Sequence, residues 1–126
     1  MKSTLKILLV EDNPLNQKIV SFYLQKDQHE VVATITGEEA LDIFKQEKFD
    51  VVLMDLMLPG IDGFETTRQI RELEKEKQEK SVIIALTANT LDNDREKCFE
   101  QGMDEYIAKP FDMQKLNDIF ETLNLI

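Results

Sequence analysis

Residues 51–65 read VVLMDLMLPGIDGFE, and this stretch indicates the fold of the chain. The apolar residues 51–54 follow one another without polar alternation, which is typical of a strand that is covered on both faces. Asp55 comes directly after the run. Strands of this kind occur in parallel sheets flanked by helices, so the stretch predicts an α/β protein with a carboxylate at the end of a buried strand.

Four further apolar runs lie on either side of this stretch, at residues 5–10, 31–35, 82–86 and 106–108. Segments with helical spacing separate the runs. The order is therefore a strand followed by a helix, five times over. Right-handed crossovers then predict a doubly wound, five-stranded parallel sheet with helices on both faces. In such folds the working site lies at the carboxyl ends of the strands.

The helical segments carry start and stop signals. Asn13 and Thr36 are predicted N-caps, and Asp112 is a third. After the first of these caps, four apolar residues fall on one helix face: Leu15, Ile19, Phe22 and Tyr23.

Residues 91–101 predict a mostly polar helix that ends at Gly102. Residues 72–81, ELEKEKQEKS, are interpreted as a frayed helix end followed by a solvated loop without a function.

Length and composition limit the classes of function. The 126 residues predict one domain, 1–126, and contain no apolar run near the roughly 20 residues that cross a bilayer. No signal peptide is indicated, so a cytoplasmic location without membrane contact is expected unless the sequence is a piece of a larger membrane-bound chain. The formal charge of −10 disfavours direct contact with nucleic acid. The single cysteine, Cys98, is predicted to be a packing residue, and His29 a turn residue.

Acidic side chains follow two strands that are expected to be neighbours. Glu11 and Asp12 come after the first strand, and Asp55 comes after the third. One acid at such a place is more often a helix cap or a loop residue. Three together would repel one another unless a cation neutralised them, and all-oxygen ligation suits Mg²⁺. The pattern therefore predicts a magnesium site at this edge of the sheet.

A hydroxyl and an ammonium end the last two strands. Thr87 follows the fourth apolar run and Lys109 follows the fifth. Either residue alone is most often structural or solvated. At the same sheet edge as the acids, however, the hydroxyl and the ammonium suit the stabilisation of a phosphoryl group. No serine–histidine or cysteine–histidine pairing is evident, so phosphoryl transfer to a carboxylate fits better than acyl transfer.

With these residues in view, the sequence closely resembles the response-regulator receiver family, including receivers fused to hybrid histidine kinases. The resemblance extends from Lys6 to Thr122. Four blocks carry it in order, and they read VEDNPLNQ at 10–17, VVLMDLMLPGIDGFE at 51–65, ALTAN at 85–89 and GMDEYIAKPF at 102–111. It implies a flavodoxin-like fold with strand order 2-1-3-4-5, and a phosphoacceptor domain of a two-component signal transduction system.

The resemblance also implies a role for each site residue. Asp55 would take the phosphoryl group from phosphohistidine on a histidine kinase or a histidine phosphotransfer protein. Asp12 and Asp55 would ligate Mg²⁺ directly, the backbone carbonyl of Met57 would add a ligand, and Glu11 would lie nearby or act through water. Thr87 and Lys109 would contact the phosphoryl oxygens. Tyr106 would be the switch residue that changes the face made by the fourth helix, fifth strand and fifth helix, which meets a downstream output partner.

Three departures or alternatives remain open. The sequence after the acceptor differs from the pattern common in hybrid-kinase receivers, so the subfamily is open. A magnesium-dependent phosphatase could also use an aspartate at a strand end, but such enzymes typically need a second acid at the position of Met57. A receiver-like binding module without the chemistry is the other alternative, against which the intact set of acids, Thr87 and Lys109 argues. Met57 and Asn89 occupy positions that in the family tune phosphate lifetime.

Overall fold

The computed structural model describes residues 4–87, 92–109 and 113–126, and only the backbone of residues 92–94. The predictions that concern Asn89 and Asp112 fall outside these residues.

Strands and helices alternate through the described residues in the predicted order. The strands are β1 (Lys6–Val10), β2 (Glu30–Thr34), β3 (Val51–Asp55), β4 (Val82–Thr87) and β5 (Glu105–Ala108). The helices are α1 (Pro14–Lys26), α2 (Gly37–Gln46), α3 (Gly63–Lys77), α4 (Asp92–Glu100) and α5 (Met113–Thr122). None of these helices combines the length and apolar composition that crossing a bilayer requires.

The five strands form one parallel sheet in the order β2-β1-β3-β4-β5, which confirms the predicted topology. Residue Val10 of β1 lies opposite Met54 of β3, and Asp55 lies opposite Leu86 of β4. The ends of β1, β3 and β4 are therefore level. The residues that follow these strands are brought to one edge, as expected for a doubly wound sheet.

Alternate residues of the central strands enter two separate cores because side chains of a strand point to opposite faces. Leu8 of β1 packs in a core with α2, α3 and α4, in which Phe44, Ile70 and Cys98 are buried. Its neighbour Leu9 packs in a core with α1 and α5. This double covering explains why the strand sequences are apolar without alternation.

Helix α1 turns its most apolar face to solvent. The predicted face is highly exposed: Leu15 is 66% exposed, Ile19 47%, Phe22 60% and Tyr23 45%. The helix packs on the sheet through the opposite face, where Leu24 is fully buried. The apolar spacing located a real helix, but the face it marks is not the one that packs in the core.

The interpretation of residues 72–81 as a frayed end and a solvated loop was wrong in part. Helix α3 continues to Lys77, and Glu74 is buried. One Glu74 oxygen accepts hydrogen bonds from the Ser81 amide and hydroxyl at 2.6 and 2.7 Å, and the other pairs with Arg71 at 2.6 Å. A buried carboxylate is tolerated when it is paired and hydrogen-bonded, so this charged segment is partly internal.

Candidate functional site

The predicted site residues come from four parallel strands and lie at the same edge of the sheet. Glu11 and Asp12 follow β1, Asp55 is the last residue of β3, and Thr87 is the last residue of β4. Lys109 follows β5, and its amide donates to the Thr87 carbonyl at 2.7 Å. The parallel register positions these side chains, although they are as much as 98 residues apart in sequence.

Three carboxylates form a cluster at this edge. One oxygen from each of Glu11, Asp12 and Asp55 lies within 4.8 Å of the others. Glu11 and Asp55 are buried, whereas Asp12 is exposed. The ammonium of Lys109 joins the two buried acids, with Nζ 2.8 Å from Glu11 Oε1 and 2.9 Å from Asp55 Oδ2. Four of the predicted site residues therefore lie close together: Glu11, Asp12, Asp55 and Lys109.

Burial and mutual charge perturb this cluster. Burial raises the pKa of Glu11 above its ordinary value of 4.5, and Asp55 raises it further against the opposing effect of Lys109. Burial alone would lower the pKa of Lys109, but the hydrogen bonds to Glu11 and Asp55 together with the negative charges of these acids outweigh it, and the pKa is raised above 10.5. The ammonium is therefore held in its charged form, and burial disfavours the ionised form of its partner Glu11.

The donor set fits a hard divalent cation. When ionised, three carboxylates and one ammonium leave a net charge of −2 in a partly buried cleft. Mg²⁺ binds through one or two carboxylates and keeps several waters, which suits a cluster with two buried acids and one exposed acid. The exposed side of the cluster, at Asp12, provides access to solvent for those waters.

The loop after β3 fixes the Asp55 side chain. The Met57 amide donates to Asp55 Oδ1 at 3.0 Å, and the Met57 side chain is 78% exposed beside the cleft. Gly63 begins α3 directly against this loop, because a Cβ there would lie 2.4 Å from the Asp55 carbonyl oxygen. Such a close approach requires glycine.

Thr87 and Tyr106 lie on the strands next to the acids. Thr87 is buried at the end of β4. Tyr106, on β5, is half-buried against the core that contains α4. Its ring also lines a surface cavity of about 460 Å³, and the Arg95 guanidinium lies 5.9 Å from the ring centroid. The tyrosine is thus placed between the core and the face made by α4, β5 and α5.

Two features near the site were not identified from the sequence. Gln17 of α1 donates hydrogen bonds to the backbone at the ends of β1 and β2. It lies on the same helix face as Val20 and Leu24, opposite the face that the apolar spacing marks, so the spacing offered no signal for it. The exposure of the apolar face of α1 is the second feature. The apolar spacing identified this face, but not that it is exposed to solvent.

A family model described as the response regulator receiver domain matches residues 7–121 of the chain. The chain is also 39% identical over 115 residues to the sensor protein GacS of Pseudomonas syringae pv. syringae, a match that includes 90% of the chain. It spans only 13% of that relative's length.

Solved structures with the same fold include two informative neighbours. The first is the receiver domain of sensor histidine kinase PA1611 from Pseudomonas aeruginosa, which has a magnesium ion coordinated in its active site cleft. It is 40% identical, with a TM-score of 0.84, and 94% of this chain and 96% of that chain are covered. The second is the receiver domain of Ssk1 from Saccharomyces cerevisiae, crystallised with the histidine phosphotransfer protein Ypd1. It is 32% identical, with a TM-score of 0.86, and the coverage is 96% and 90%.

Proposed function

The chain belongs to the response regulator receiver domain family, and from this premise we propose that it accepts a phosphoryl group on Asp55. As a receiver domain it is a component of two-component signalling. The observation that carries the proposal is the convergence of three carboxylates and Lys109 at the carboxyl end of the sheet, with Asp55 buried at its centre.

The transfer step uses this chain's own groups as follows. An Asp55 carboxylate oxygen attacks the phosphorus of a phosphohistidine, and an acyl phosphate forms. The phosphorus–nitrogen bond breaks, and its electron pair leaves with the imidazole of the donor. The amide of Met57 and the ammonium of Lys109 each contact one Asp55 oxygen, so the nucleophile is held in one orientation. Lys109 and the Thr87 hydroxyl then contact the phosphoryl oxygens.

Mg²⁺ is the proposed cofactor. Asp12 and Asp55 would hold it directly, the backbone carbonyl of Met57 would be a further ligand, and Glu11 would lie nearby or act through water. When bound, the ion neutralises negative charge on the phosphoryl oxygens. The three-carboxylate cluster of this chain and the magnesium ion in the PA1611 receiver both support this assignment.

Phosphorylation would change a surface through Thr87 and Tyr106. An acyl phosphate adds roughly −1.5 to −2 charges and three acceptor oxygens close to Thr87. Movement of Thr87 toward the phosphoryl group would leave room for the Tyr106 ring to turn inward. The α4, β5 and α5 face, on which Tyr106 and Arg95 line one cavity, would then change shape for an output partner.

The phosphohistidine donor would be a histidine kinase or a histidine phosphotransfer protein, and we infer that it docks on α1. Leu15 follows Asp12 by three residues and Met57 follows Asp55 by two, and they are 66% and 78% exposed. The apolar face continues along α1, which carries Lys18 and Lys26 and no acid, in a chain of charge −10. An apolar face with a slight positive charge suits an apolar, acidic helix of the donor. Crystallisation of the related Ssk1 receiver with Ypd1 supports this class of partner.

The chain would assist its own phosphorylation and dephosphorylation rather than turn over a separate substrate. Phosphatases that use an aspartate commonly place a general acid two residues later, and the exposed thioether of Met57 cannot donate a proton. The geometry therefore favours the receiver function over the phosphatase alternative.

Intact mass measurement after incubation with acetyl phosphate and Mg²⁺ tests the proposal. We expect the mass to increase by one phosphoryl group, and the increase to disappear when Mg²⁺ is chelated or in the Asp55→Asn variant. Asp42→Asn, which removes an exposed acid from α2, is the matched control and should be phosphorylated normally. Phosphorylation that survives Asp55→Asn, or that does not require Mg²⁺, would contradict the proposal.

A further inference from the structure

Gln17 connects helix α1 to the backbone at two strand ends. Its carboxamide nitrogen donates to the Thr34 carbonyl at 3.0 Å and to the Glu11 carbonyl at 3.3 Å. Thr34 is the last residue of β2 and is fully buried, and Glu11 directly follows β1. The two hydrogens of one amide group thus satisfy two carbonyls where the β ladder ends.

These bonds fix the peptide planes on both sides of Glu11. The Glu11 amide donates to the Thr34 carbonyl at 3.0 Å, which holds the plane before the residue. The bond from Gln17 to the Glu11 carbonyl holds the plane after it, and that plane carries Asp12. Asp12 is exposed, so its placement depends strongly on the backbone to which it is attached.

We propose that Gln17 is a positioning residue for the magnesium site, which it organises by holding the Glu11–Asp12 backbone. The inference rests on the proposed function, because it concerns the same cation site. Mg²⁺ demands near-ideal octahedral geometry, so a small shift of the backbone between two acidic side chains weakens its binding. Groups that orient metal ligands typically contribute tenfold or more to metal affinity.

A glutamine amide fits both roles of this side chain. Gln17 lies on the face of α1 that also carries Val20 and Leu24, so the helix packs on the sheet around it. An apolar side chain of similar length would fill this space but leave the two carbonyls without its hydrogen bonds. Asparagine would keep the amide group, but one methylene shorter, and would reach the strand ends poorly.

Magnesium titration followed by amide NMR tests the inference, since the chain has no tryptophan to report binding by fluorescence. For Gln17→Met we expect a Mg²⁺ dissociation constant raised roughly tenfold. Gln17→Asn should raise it as well and serves as a milder variant if the methionine variant folds poorly. Gln25→Met, on the exposed side of the same helix, is the matched control and should bind as the unaltered chain does.

A second readout separates positioning from stability. In acetyl phosphate reactions, Gln17→Met should need about tenfold more Mg²⁺ for half-maximal rate, and its rate at saturating Mg²⁺ should be close to that of the unaltered chain. Urea unfolding of both proteins measures the purely structural effect. A lowered unfolding midpoint with an unchanged Mg²⁺ dissociation constant would overturn this inference alone. Failure of the unaltered chain to bind Mg²⁺ would overturn the proposed function and this inference together.

Discussion

Lys109 has two partners in the cleft, and this arrangement has a consequence for phosphorylation. Its ammonium lies within 3 Å of one oxygen of each buried acid, Glu11 and Asp55. The lysine therefore offsets repulsion between the two acids. If Mg²⁺ were held at these acids, the Lys109 ammonium would be able to turn toward a phosphoryl group. The same side chain can thus contact the two acids first and the transferred phosphoryl group afterwards.

Met57 follows Asp55 by two residues, and we expect it to influence how fast water hydrolyses the proposed acyl phosphate. Met57 is 78% exposed, and its thioether cannot orient an attacking water by hydrogen bonds. We expect Met57→Asn to accelerate loss of phosphate by roughly two- to tenfold, which is the worth of one hydrogen bond formed in the transition state. The decay of phosphorylated protein after removal of acetyl phosphate, followed by intact mass, gives the rate.

Met57→Leu is the control for this prediction, because leucine has a similar size and likewise cannot orient water. Its decay rate should match that of the unaltered chain. If the asparagine variant decays no faster, or if leucine accelerates decay as much as asparagine does, the exposed methionine does not limit hydrolysis through its chemistry.

At the scale of elements, helix α1 performs two tasks on opposite faces. The inner face packs on the sheet and carries Gln17, while the outer face carries Leu15 and Phe22. We expect Phe22→Ser to slow phosphoryl transfer from a phosphorylated histidine phosphotransfer domain by roughly ten- to a hundredfold at subsaturating receiver concentration. Burying a phenylalanine at an interface is worth about 1.5–3 kcal/mol, which the variant forfeits. Quench-flow measurement of the transfer gives the rate.

Two comparisons make this prediction specific. Phosphorylation of Phe22→Ser by acetyl phosphate should be unchanged, because the small donor does not need a docking surface. Phe99→Ser removes another exposed phenylalanine, 41% accessible on α4, and should leave transfer from the protein donor unchanged. Equal slowing with both donors would mean that the site itself is damaged, and unaltered transfer from the protein donor would rule out docking at Phe22.

The sequence predicts the elements of this molecule better than their orientation. The buried strands were predictable because residues such as Val52 and Leu53 face two different cores, so both must be apolar. Asp55 could be predicted as a site residue because it directly follows the apolar part of such a strand. The outward face of α1 could not be predicted, because apolar periodicity measures a difference between helix faces and not which face packs inside. Buried Glu74 was missed because its compensating partners, Arg71 and Ser81, become apparent only after folding.

On the scale of the whole molecule, the two ends of the sheet differ. The carboxyl end carries the candidate site, and the amino end, here called the structural end, carries hydrogen bonds that stabilise the fold. The carboxyl end gathers the acids. At the amino end, side chains satisfy backbone groups at the start of the sheet: the Leu5 amide donates to His29 Nδ1 at 3.0 Å, and the Lys6 amide donates to Asp50 Oδ2 at 2.8 Å. His29, predicted to be a turn residue, is buried there, with its ring edge-on to Phe120 of α5.

The structural end should make stability depend on pH through His29, the single histidine of the chain. Burial lowers the pKa of His29 below its ordinary value of 6.5, although nearby Asp27 partly opposes this effect. The unfolded chain therefore binds this proton at a higher pH than the folded chain does. The contribution of His29 to stability is complete above pH 6.5 and decreases as the pH falls toward the folded pKa. Urea unfolding between pH 5 and 8 measures this dependence.

His29→Asn isolates this term, because the asparagine amide oxygen can accept the Leu5 bond in place of Nδ1 but does not titrate. Below pH 6.5, we expect the free energy of unfolding of the unaltered chain to decrease relative to that of His29→Asn. Contributions from carboxylates common to both proteins, including Glu11 with its raised pKa, cancel in that difference.

His29→Leu removes the acceptor as well and should cost about 1–3 kcal/mol at neutral pH, since a buried amide is left unpaired. If the unaltered chain and His29→Asn show the same pH dependence, protonation of His29 does not oppose folding, and the hydrogen bond from Leu5 does not require a neutral imidazole.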